Sequence, residues 1–252
     1  MAGHSGPNIV QDSLTFSIDA ANIRSYEDGS NDVYNLISPI VNTGSLENGV
    51  DFNFNDLGKW DFSGSSTSEI VFDTGSNGNW GTDSWSVDVW FSTTESITNT
   101  AQGLIGKWAG GNYQEGWGIA LRGNSYNGIM VRICSGSSQN LAGTGALRDI
   151  FPPQNITSSL SDGKGHNITV TFDTSTYTAS LYVDGEYSSN NTNFDSGWSW
   201  ENFITASNLR VGRSNDISGY YHGEISSVKF YRKALSEEEV TQNYRAFKNR
   251  FI

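Results

Sequence analysis

Residues 208–251 read NLRVGRSNDISGYYHGEISSVKFYRKALSEEEVTQNYRAFKNRF, and this stretch indicates most clearly what kind of fold the chain has. Its middle part, residues 221–231, alternates apolar and polar side chains, as a half-buried strand does. Ile225 is at an odd-numbered position of this run and Val228 at an even-numbered one, so in a regular strand they would point to opposite faces. Because successive side chains of a strand point to opposite faces, this change of parity predicts a β-bulge at residues 226–227.

A short amphipathic helix is predicted directly after this strand, over residues 236–250. Ser236 can cap its first turn, and Glu239, three residues later, completes a capping box. Leu235 before the cap and Val240 after it can form a hydrophobic staple. Apolar residues recur at helical spacing, at Val240, Tyr244 and Phe247. We interpret the helix as a clasp that closes a β-protein, not as a binding site.

The rest of the chain has the composition of strands and turns, which predicts an all-β protein with one domain over residues 1–252. Gly, Ser, Thr and Asn separate short apolar runs, and 28 Gly residues exceed the share of ~7% that is usual in proteins. We expect about ten to thirteen strands in a two-layer sandwich. An N-terminal arm is expected at residues 1–11, and irregular segments at residues 23–50 and 141–160.

Individual strands are predicted where apolar and polar residues alternate. Examples are residues 14–19 and residues 85–91. The clearest hairpin is predicted at residues 166–188, because two alternating runs there end in an Asp184-Gly185 pair that suits a tight turn.

The charge balance excludes several classes of partner. The formal net charge is −12, from 15 basic and 27 acidic residues. An acidic surface repels phosphate groups, so we expect no nucleic-acid partner and no attraction to anionic membranes. No run approaches the ~18 apolar residues of a membrane span, and the first residues do not resemble a signal peptide. We therefore expect synthesis in the cytoplasm and no membrane insertion. Cys134 is the single cysteine, so no intrachain disulfide is expected.

The sequence lacks the motifs of common hydrolases. The lone Asp-x-Glu, at residues 184–186, is explained by its turn signal, and neither Glu-x-Asp-x-Glu nor Gly-x-Ser-x-Gly occurs. His4, His166 and His222 lack metal-ligand spacing and are interpreted as surface or turn residues. The sequence therefore predicts a protein that is not an enzyme and that has no catalytic residues. Two carboxylates that face each other across an open groove would instead indicate an enzyme.

Two sets of residues are candidates for binding. Exposed aromatic rings in or beside Gly-rich loops could stack on the apolar face of a sugar, and these are Tyr113, Trp117, Trp198 and Trp200. Alternatively, the same rings cover the ends of the core. Asp19 and Asn22 offer oxygen ligands for Ca²⁺. Alternatively, they form turns in which a side chain caps the backbone at a strand end.

Four segments resemble laminin-G-like domains of the concanavalin A-like lectin/glucanase superfamily. They are SIDAAN at 17–22, SWSVDVWF at 84–91, HNITVTFDTSTYTASLYVDGE at 166–186 and the run LRVGRS to EEEV at 209–240. The resemblance implies an antiparallel jelly-roll β-sandwich, which agrees with the predicted strands, with one short C-terminal α-helix.

The resemblance is incomplete where members of this family often bind Ca²⁺. Their first-loop motif is usually of the Asp-Leu-Ser-Gly type, but residues 35–38 read Asn-Leu-Ile-Ser. Their closing strand usually carries Ile-Asp-Glu, but residues 225–227 read Ile-Ser-Ser. Two expected acidic ligands are missing, so a Ca²⁺ site built on Asp19 would be weak, and no other cofactor is expected.

The ending KALSEEEVTQNYRAFKNRF, at 233–251, resembles laminin-G-like domains of tailed-phage virion proteins, especially of marine and cyanobacterial phages. This resemblance implies a non-enzymatic protein of the virion surface, as a capsid decoration, head fibre or tail-associated protein. The implied partners are other virion proteins, further copies of the chain in a homo-oligomer, and host-surface glycans. The alternative is a stand-alone carbohydrate-binding lectin or a glycan-processing enzyme of the same fold.

Overall fold

The computed structural model describes residues 8–38, 43–54, 57–65, 68–73, 75, 77–108, 116–134, 147–192, 207–214 and 217–251. These residues form two β-sheets that pack face to face, with one helix of fifteen residues near the C-terminus. The predicted all-β antiparallel sandwich with a C-terminal α-helix is confirmed. Within these ranges, no helix is both long and apolar enough to cross a bilayer.

The first sheet has eight strands. In spatial order they are β14 (Glu186–Asn191), β13 (Thr178–Val183), β12 (His166–Asp173), β7 (Trp85–Ser92), β18 (His222–Tyr231), β5 (Lys59–Ser63) and β4 (Asp51–Asn53), and β1 (Leu14–Asp19) also pairs with β18.

The second sheet has ten strands. In spatial order they are β11 (Leu147–Ile150), β10 (Gly128–Cys134), β9 (Gly116–Arg122), β8 (Gln102–Trp108), β15 (Leu209–Val211), β6 (Glu69–Phe72), β3 (Thr43–Glu47) and β2 (Asp32–Tyr34). Two further strands, β16 (Arg213–Ser214) and β17 (Ile217–Tyr220), pair with each other, and β17 forms one parallel bridge to β8. The helical elements are a 3₁₀ turn at Asn124–Tyr126, the single turn α1 (Thr157–Leu160) and α2 (Glu237–Phe251).

Strand β7 shows how the sequence builds the layers. All eight of its residues are buried, so both faces of the strand are covered. One face belongs to the core between the sheets, through Trp85, Val87, Val89 and Phe91. The opposite face carries Ser86, Asp88 and Trp90, which lie beneath the C-terminal segment of the chain. We call this second side the outer face of the first sheet.

The bulge predicted in β18 is confirmed. Ile225 pairs with Phe91 of β7, and Ser227 pairs with the preceding residue Trp90, so one residue of β18 is left without a partner on that side. The extra residue places both Ile225 and Val228 in the core, although they differ in parity. On its other side, β18 pairs first with β5 and then with β1.

Helix α2 begins as its sequence predicts. The backbone N–H of Ser236 donates to Glu239 Oε2 at 3.0 Å, and the N–H of Glu239 donates to Ser236 Oγ at 3.3 Å. This reciprocal pair is the capping box. Leu235 and Val240 are both buried in one apolar cluster, as expected for the hydrophobic staple.

Aromatic contacts hold α2 on the outer face. The ring of Tyr244 stacks on Trp90, with centroids 5.5 Å apart and planes 3° from parallel. Gly185, in a tight turn, makes room for this contact because it has no side chain. A Cβ atom at this position would lie 2.7 Å from the Tyr244 side chain. Asp184 and Gly185 both have positive φ, 51° and 78°, which confirms the predicted turn. The helix is therefore part of the packed structure, and it covers the centre of the outer face.

The described part of the N-terminal arm is docked on α2. The N–H of Val10 donates to Asn243 Oδ1 at 2.8 Å, and Gln242 Nε2 donates to the carbonyl of Asn8 at 2.7 Å. Val10 is buried with Leu235 and Val240.

The sequence underestimates the number of strands. Eighteen are present in the described residues, against the expected ten to thirteen. The segment at 23–50, expected to be irregular, contains β2 and β3, and the segment at 141–160 contains β11 and α1. These edge elements have only three to five residues and mixed polarity. A run of that length carries too few alternating positions to predict a strand.

Candidate functional site

Of the four aromatic residues predicted to bind sugar, the structure describes Trp117 alone, because Tyr113, Trp198 and Trp200 lie outside the described residues. Trp117 is 2% exposed and belongs to the core between the sheets. Its Nε1 donates to the carbonyl of Gly78 at 2.9 Å, and its ring packs near Trp85. The expectation that Trp117 presents a ring to a sugar is therefore wrong. The alternation of β9 turns Trp117 inward, and the ring closes one end of the core.

Asp19 and Asn22, the predicted Ca²⁺ ligands, have other partners. Arg250 of α2 forms a bidentate contact with Asp19, through Nη1 to Oδ2 at 2.7 Å and Nη2 to Oδ1 at 2.6 Å. Asp19 Oδ1 also accepts from the N–H of Ala21, and Asn22 Oδ1 accepts from the N–H of Arg24. The turn interpretation is therefore correct. The guanidinium supplies the positive charge beside Asp19, so this structure gives no support to a Ca²⁺ ion there.

A groove on the outer face lies close to the C-terminal end of α2. We call it the acidic groove, and it has a volume of about 270 Å³. The lining residues that matter for its chemistry are Asp61, Ser92, Thr93, Glu95, His222 and Glu224. Three of these six are carboxylates, and the ring of His222 lies beside Glu95, with Nδ1 and Oε1 3.4 Å apart.

Strand pairing brings two carboxylates of this groove together. In β5, Trp60 and Phe62 point into the core, so Asp61 between them points outward. In β18, Glu224 precedes the core residue Ile225 and is paired directly with Asp61 on the neighbouring strand. Residues directly opposite in an antiparallel pair have Cβ atoms about 4.5–5.5 Å apart. The two side chains therefore share one face and one opening.

Glu224 is held in place by three hydrogen-bond donors. Its Oε2 accepts from Lys59 Nζ at 2.8 Å and from Ser92 Oγ at 2.9 Å. Its Oε1 accepts from Asn53 Nδ2 at 3.4 Å. These contacts fix the position of the carboxylate in the groove.

Asp61 has no hydrogen-bond or ion-pair partner among the described residues. Burial raises the pKa of its carboxyl above the usual value, and the charges of Glu224 and Asp51 raise it further. Asp51 contributes because β4 places it directly opposite Asp61 on the other side. The groove thus contains one carboxylate that is fixed by hydrogen bonds, and one that has no such partner in the described chain and whose pKa is raised.

Such a pair has two chemical uses. Carboxylate oxygens are good acceptors for the hydroxyl groups of a sugar, and an unpartnered one is available without breaking an existing bond. A carboxyl of raised pKa beside a second carboxylate is also the arrangement of acid and nucleophile in glycoside hydrolysis. No group of three or more His, Cys, Asp or Glu side chains within the described ranges is arranged to hold a metal ion.

Sequence reasoning did not find this groove. Its residues come from strands that are far apart in the sequence, so they form no motif. Lys59 of β5 and its partner Glu224 of β18, for example, are 165 residues apart. The local signal was that Asp61 alternates with two aromatic core residues, which shows that it points outward. Only the pairing of β5 with β18 shows that it points at Glu224.

The description of His166 as a surface or turn residue is wrong. It is 9% exposed, and its two ring nitrogens contact Asp184 at 2.9 Å and Asp162 at 3.1 Å. Burial lowers the pKa of the ring, but hydrogen bonds and charge from Asp184 and then Asp162 outweigh burial and raise it above the usual value. His4 lies outside the described residues.

Solved structures with the same fold include three that represent different settings. The binding domain of Paraclostridial Mosquitocidal Protein 1 has a TM-score of 0.65 and 15% identity, with 93% of this chain and 52% of that chain covered. Domain 4 of AbnA, a GH43 extracellular arabinanase from Geobacillus stearothermophilus solved with arabinotriose, has a TM-score of 0.58 and 17% identity, with 92% and 98% covered. The binding domain of Botulinum Neurotoxin DC in complex with SialylT has a TM-score of 0.65 and 12% identity, with 92% and 51% covered.

These likenesses show a shared, lectin-like fold. The chain spans about half of the two toxin domains but almost the whole of the arabinanase domain. No curated protein matches the sequence. A family model, Laminin_G_3 of the concanavalin A-like lectin/glucanases superfamily, matches residues 63–241. Because this match covers most of the sandwich, the chain belongs to the laminin-G-like family of the concanavalin A-like lectin/glucanase superfamily.

Proposed function

We propose that this protein is a recognition module that binds carbohydrate in the acidic groove and does not cleave it. The observation that carries the proposal is the unpartnered carboxylate of Asp61 in a polar opening beside the fixed carboxylate of Glu224. Each carboxylate accepts hydroxyl hydrogen bonds, and Glu224 is already positioned by Lys59, Ser92 and Asn53. A polyhydroxylated ligand matches this surplus of acceptors.

The compared structures support carbohydrate as the ligand class. One is an arabinanase domain solved in complex with arabinotriose, and another is a neurotoxin binding domain solved in complex with SialylT. The negative groove favours neutral or amino sugars over carboxylated and sulfated ones, because an anionic ligand would be repelled by Asp61, Glu95 and Glu224.

A glycan array followed by titration calorimetry tests this proposal. We expect the native chain to bind neutral or amino-sugar glycans, and Asp61→Asn to bind them roughly 5- to 10-fold more weakly, because an amide accepts fewer hydrogen bonds than a carboxylate. Asp28→Asn makes the same change at an exposed position outside the groove and should bind like the native chain. Equal affinities for Asp61→Asn and Asp28→Asn would contradict the proposal.

We place this module on the surface of a tailed-phage virion, where it contacts other virion proteins and host glycans. The support is the resemblance of residues 233–251 to endings of virion laminin-G-like domains. Mass spectrometry and a density map of purified particles test the location, and we expect the chain in stoichiometric amounts on the outside. Recovery solely as a free monomer from infected cells would contradict it.

A second function, glycoside hydrolysis, is favoured by one observation, the raised pKa of the Asp61 carboxyl directly opposite Glu224 on the neighbouring strand. In that case Asp61 would be the acid and Glu224 the nucleophile. Measurement of reducing ends released from the glycans that bind in the array separates the two functions. Turnover that is lost in both Asp61→Asn and Glu224→Gln would establish the enzyme, whereas binding without turnover supports the recognition module.

A further inference from the structure

A second groove lies on the outer face, at the N-terminal end of α2. We infer that it is a separate binding site for a neutral, polyhydroxylated ligand of oligosaccharide size. We call it the hydroxyl groove. It has a volume of about 530 Å³, which lies in the range of about 300–1,000 Å³ typical of small-molecule sites. The lining residues used below are Thr171, Ser180, Tyr182, Lys233, Leu235 and Glu239.

The floor of this groove carries hydroxyl groups that have no protein partner. Thr171 of β12 and Ser180 of β13 are directly paired across the strands, so their side chains point the same way. Tyr182 lies two residues further along β13 on the same face. Within the described chain, none of these three hydroxyls has a hydrogen-bond partner.

Burial makes these hydroxyls unusual. Thr171 is 5% exposed and Tyr182 is 7% exposed, so both side chains are enclosed by protein. Their oxygens are nevertheless not among the fully buried polar atoms without a partner, and both residues line the groove, so the oxygens reach it. Because these oxygens are not fully buried, a ligand can bind them without breaking a protein hydrogen bond. A ligand with hydroxyl groups would supply the missing partners.

Neighbouring hydroxyls on the same face do not share this property. Thr169 Oγ1 donates to Asp88 Oδ2 at 3.0 Å, and Ser86 Oγ donates to the carbonyl of Lys233 at 2.8 Å. Both of these residues lie beneath the C-terminal segment, whereas Thr171, Ser180 and Tyr182 line the groove. The two paired hydroxyls thus lie outside the opening, and the three without a hydrogen-bond partner in the described chain line it.

The charges of the groove are already paired, which argues for a neutral ligand. Lys233 Nζ contacts both Asp12, at 2.8 Å, and Glu239, at 2.6 Å. Asp173, at the rim, accepts hydrogen bonds from Ser175 and Thr176. Leu235 is 3% exposed and, with Ala234, contributes an apolar wall beside the hydroxyls. Hydroxyl groups on one side and an apolar wall on the other match the two faces of a sugar ring.

This inference extends the proposed carbohydrate binding to a second place on the chain, but it depends on different residues. Asp61 and Glu224 lie in the acidic groove, and Thr171, Ser180 and Tyr182 lie in the hydroxyl groove. Substitutions in one groove therefore leave the other intact, and failure of one proposal is distinguishable from failure of the other.

The test uses the whole chain and three neutral trisaccharides as probes, arabinotriose, maltotriose and cellotriose. Amide shifts in a two-dimensional NMR titration locate binding, and they should fall on β12 and β13 in the native chain and in Asp61→Asn alike. Tyr182→Phe keeps the ring and removes its hydroxyl, and each of Tyr182→Phe and Ser180→Ala should weaken binding by roughly 2- to 10-fold, as expected for one lost hydrogen bond.

Tyr187→Phe is the matched control, since Tyr187 packs edge-on against Tyr182 but is 48% exposed and does not line the groove. It should bind like the native chain, and an unchanged melting temperature of each variant shows that the fold is retained. The inference is overturned if no trisaccharide shifts the amides of β12 and β13 at about 10 mM, or if the double variant Tyr182→Phe with Ser180→Ala binds like Tyr187→Phe.

Discussion

The centre and the two ends of the outer face differ in how their polar groups are satisfied. At the centre, Asp88 accepts hydrogen bonds from Lys229, Asn167 and Thr169, and all four residues are almost completely buried. Lys229 Nζ also lies 4.0 Å from the ring centroid of Phe247, a residue of α2. At the ends, Asp61 in the acidic groove and Tyr182 in the hydroxyl groove have no such partners in the described chain.

This difference distinguishes the part of the sheet that stabilises the fold from the parts that are open to a ligand. Helix α2 covers Asp88 and its three hydrogen-bond donors, and also Trp90, whose indole Nε1 has no hydrogen-bond partner among the described residues. It leaves uncovered the two grooves that contain Asp61 and Tyr182. Asp61 is exposed and the Tyr182 oxygen reaches its groove, so a ligand can bind either group without breaking a protein hydrogen bond. The comparison therefore predicts large stability effects at the centre and small ones at the ends, with the reverse order for binding.

The largest expected effect comes from Lys229→Met, which leaves the buried carboxylate of Asp88 without its cation. Removal of one partner of a buried ion pair costs about 3–5 kcal/mol of unfolding free energy. Chemical denaturation measures the loss. Lys164→Met, at an ammonium whose side chain is 67% exposed, should change stability by less than about 0.5 kcal/mol. A loss in Lys229→Met no larger than in this control would show that the pair is not structural.

A smaller loss is expected when α2 loses its stacking contact with β7. Tyr244→Ala removes the ring that stacks on Trp90, and it should lower the free energy of unfolding by about 2 kcal/mol, from lost apolar contact and ring stacking. Tyr244→Phe keeps the ring and should be nearly neutral. Equal effects of the two substitutions would mean that the hydroxyl, not the stack, holds the helix.

The third prediction concerns how the stability of the fold depends on pH through His166. The pKa of His166 is raised in the folded protein, so its protonated form is stabilised relative to the usual unfolded value of about 6.5. This contribution is fully present below that value and is lost as pH rises through the raised folded pKa. The pKa of Asp162 is lowered to about 2, mainly by the N–H of Lys164 and then by His166, so Asp162 stays ionised throughout.

Melting temperatures from pH 5 to pH 9 test this prediction against His166→Gln. The difference between native chain and variant should shrink as pH rises, because the variant has no ionisable ring. Asp184, the other carboxylate that faces the ring, and Lys164, which pairs with Asp162, remain in both proteins. A difference that is constant across this range would show that the imidazolium does not contribute.

The smallest effect on stability is expected in the acidic groove. The raised pKa of Asp61 means that its charged form is disfavoured in the folded state, next to Glu224 and Asp51. Asp61→Asn should therefore stabilise the fold by a few tenths of a kcal/mol at neutral pH, because it removes a like-charge cross-strand pair. The gain should vanish at acidic pH, where Asp61 is protonated in either state. Destabilisation at neutral pH would mean that Asp61 has a structural role.

Local features of the fold were predictable, and non-local ones were not. The capping box of Ser236 and Glu239 and the turn at Asp184-Gly185 depend on residues a few positions apart, so the sequence contains all that is needed to find them. The bulge in β18 was visible as a change of parity. The strands β2, β3 and β11, which lie at or next to the edges of the second sheet, were missed, because their stability comes from pairing with neighbours and not from their own pattern.

The candidate sites illustrate the same limit more sharply. Asp61 is recognisably an outward residue, but its relation to Glu224 is created by strand pairing across most of the chain. Trp117 was misassigned because a ring beside a Gly-rich loop is equally consistent with the surface and with the end of the core. Asp19 looked like a metal ligand until α2 brought Arg250 to it. In each case the missing information is which segment of the chain folds over which.

The position of α2 between β18 and the chain end has a mechanical consequence. A pull on the end of α2 loads Arg250 against Asp19 and Tyr244 against Trp90 before it loads the hydrogen bonds of β18. The helix can peel away one turn at a time, while β18 remains clamped by β7, β1 and β5. Extraction of β18 then requires its ladders to shear together. The sandwich thus has a compliant outer element in series with a stiff one, so sudden tension is absorbed before the core yields.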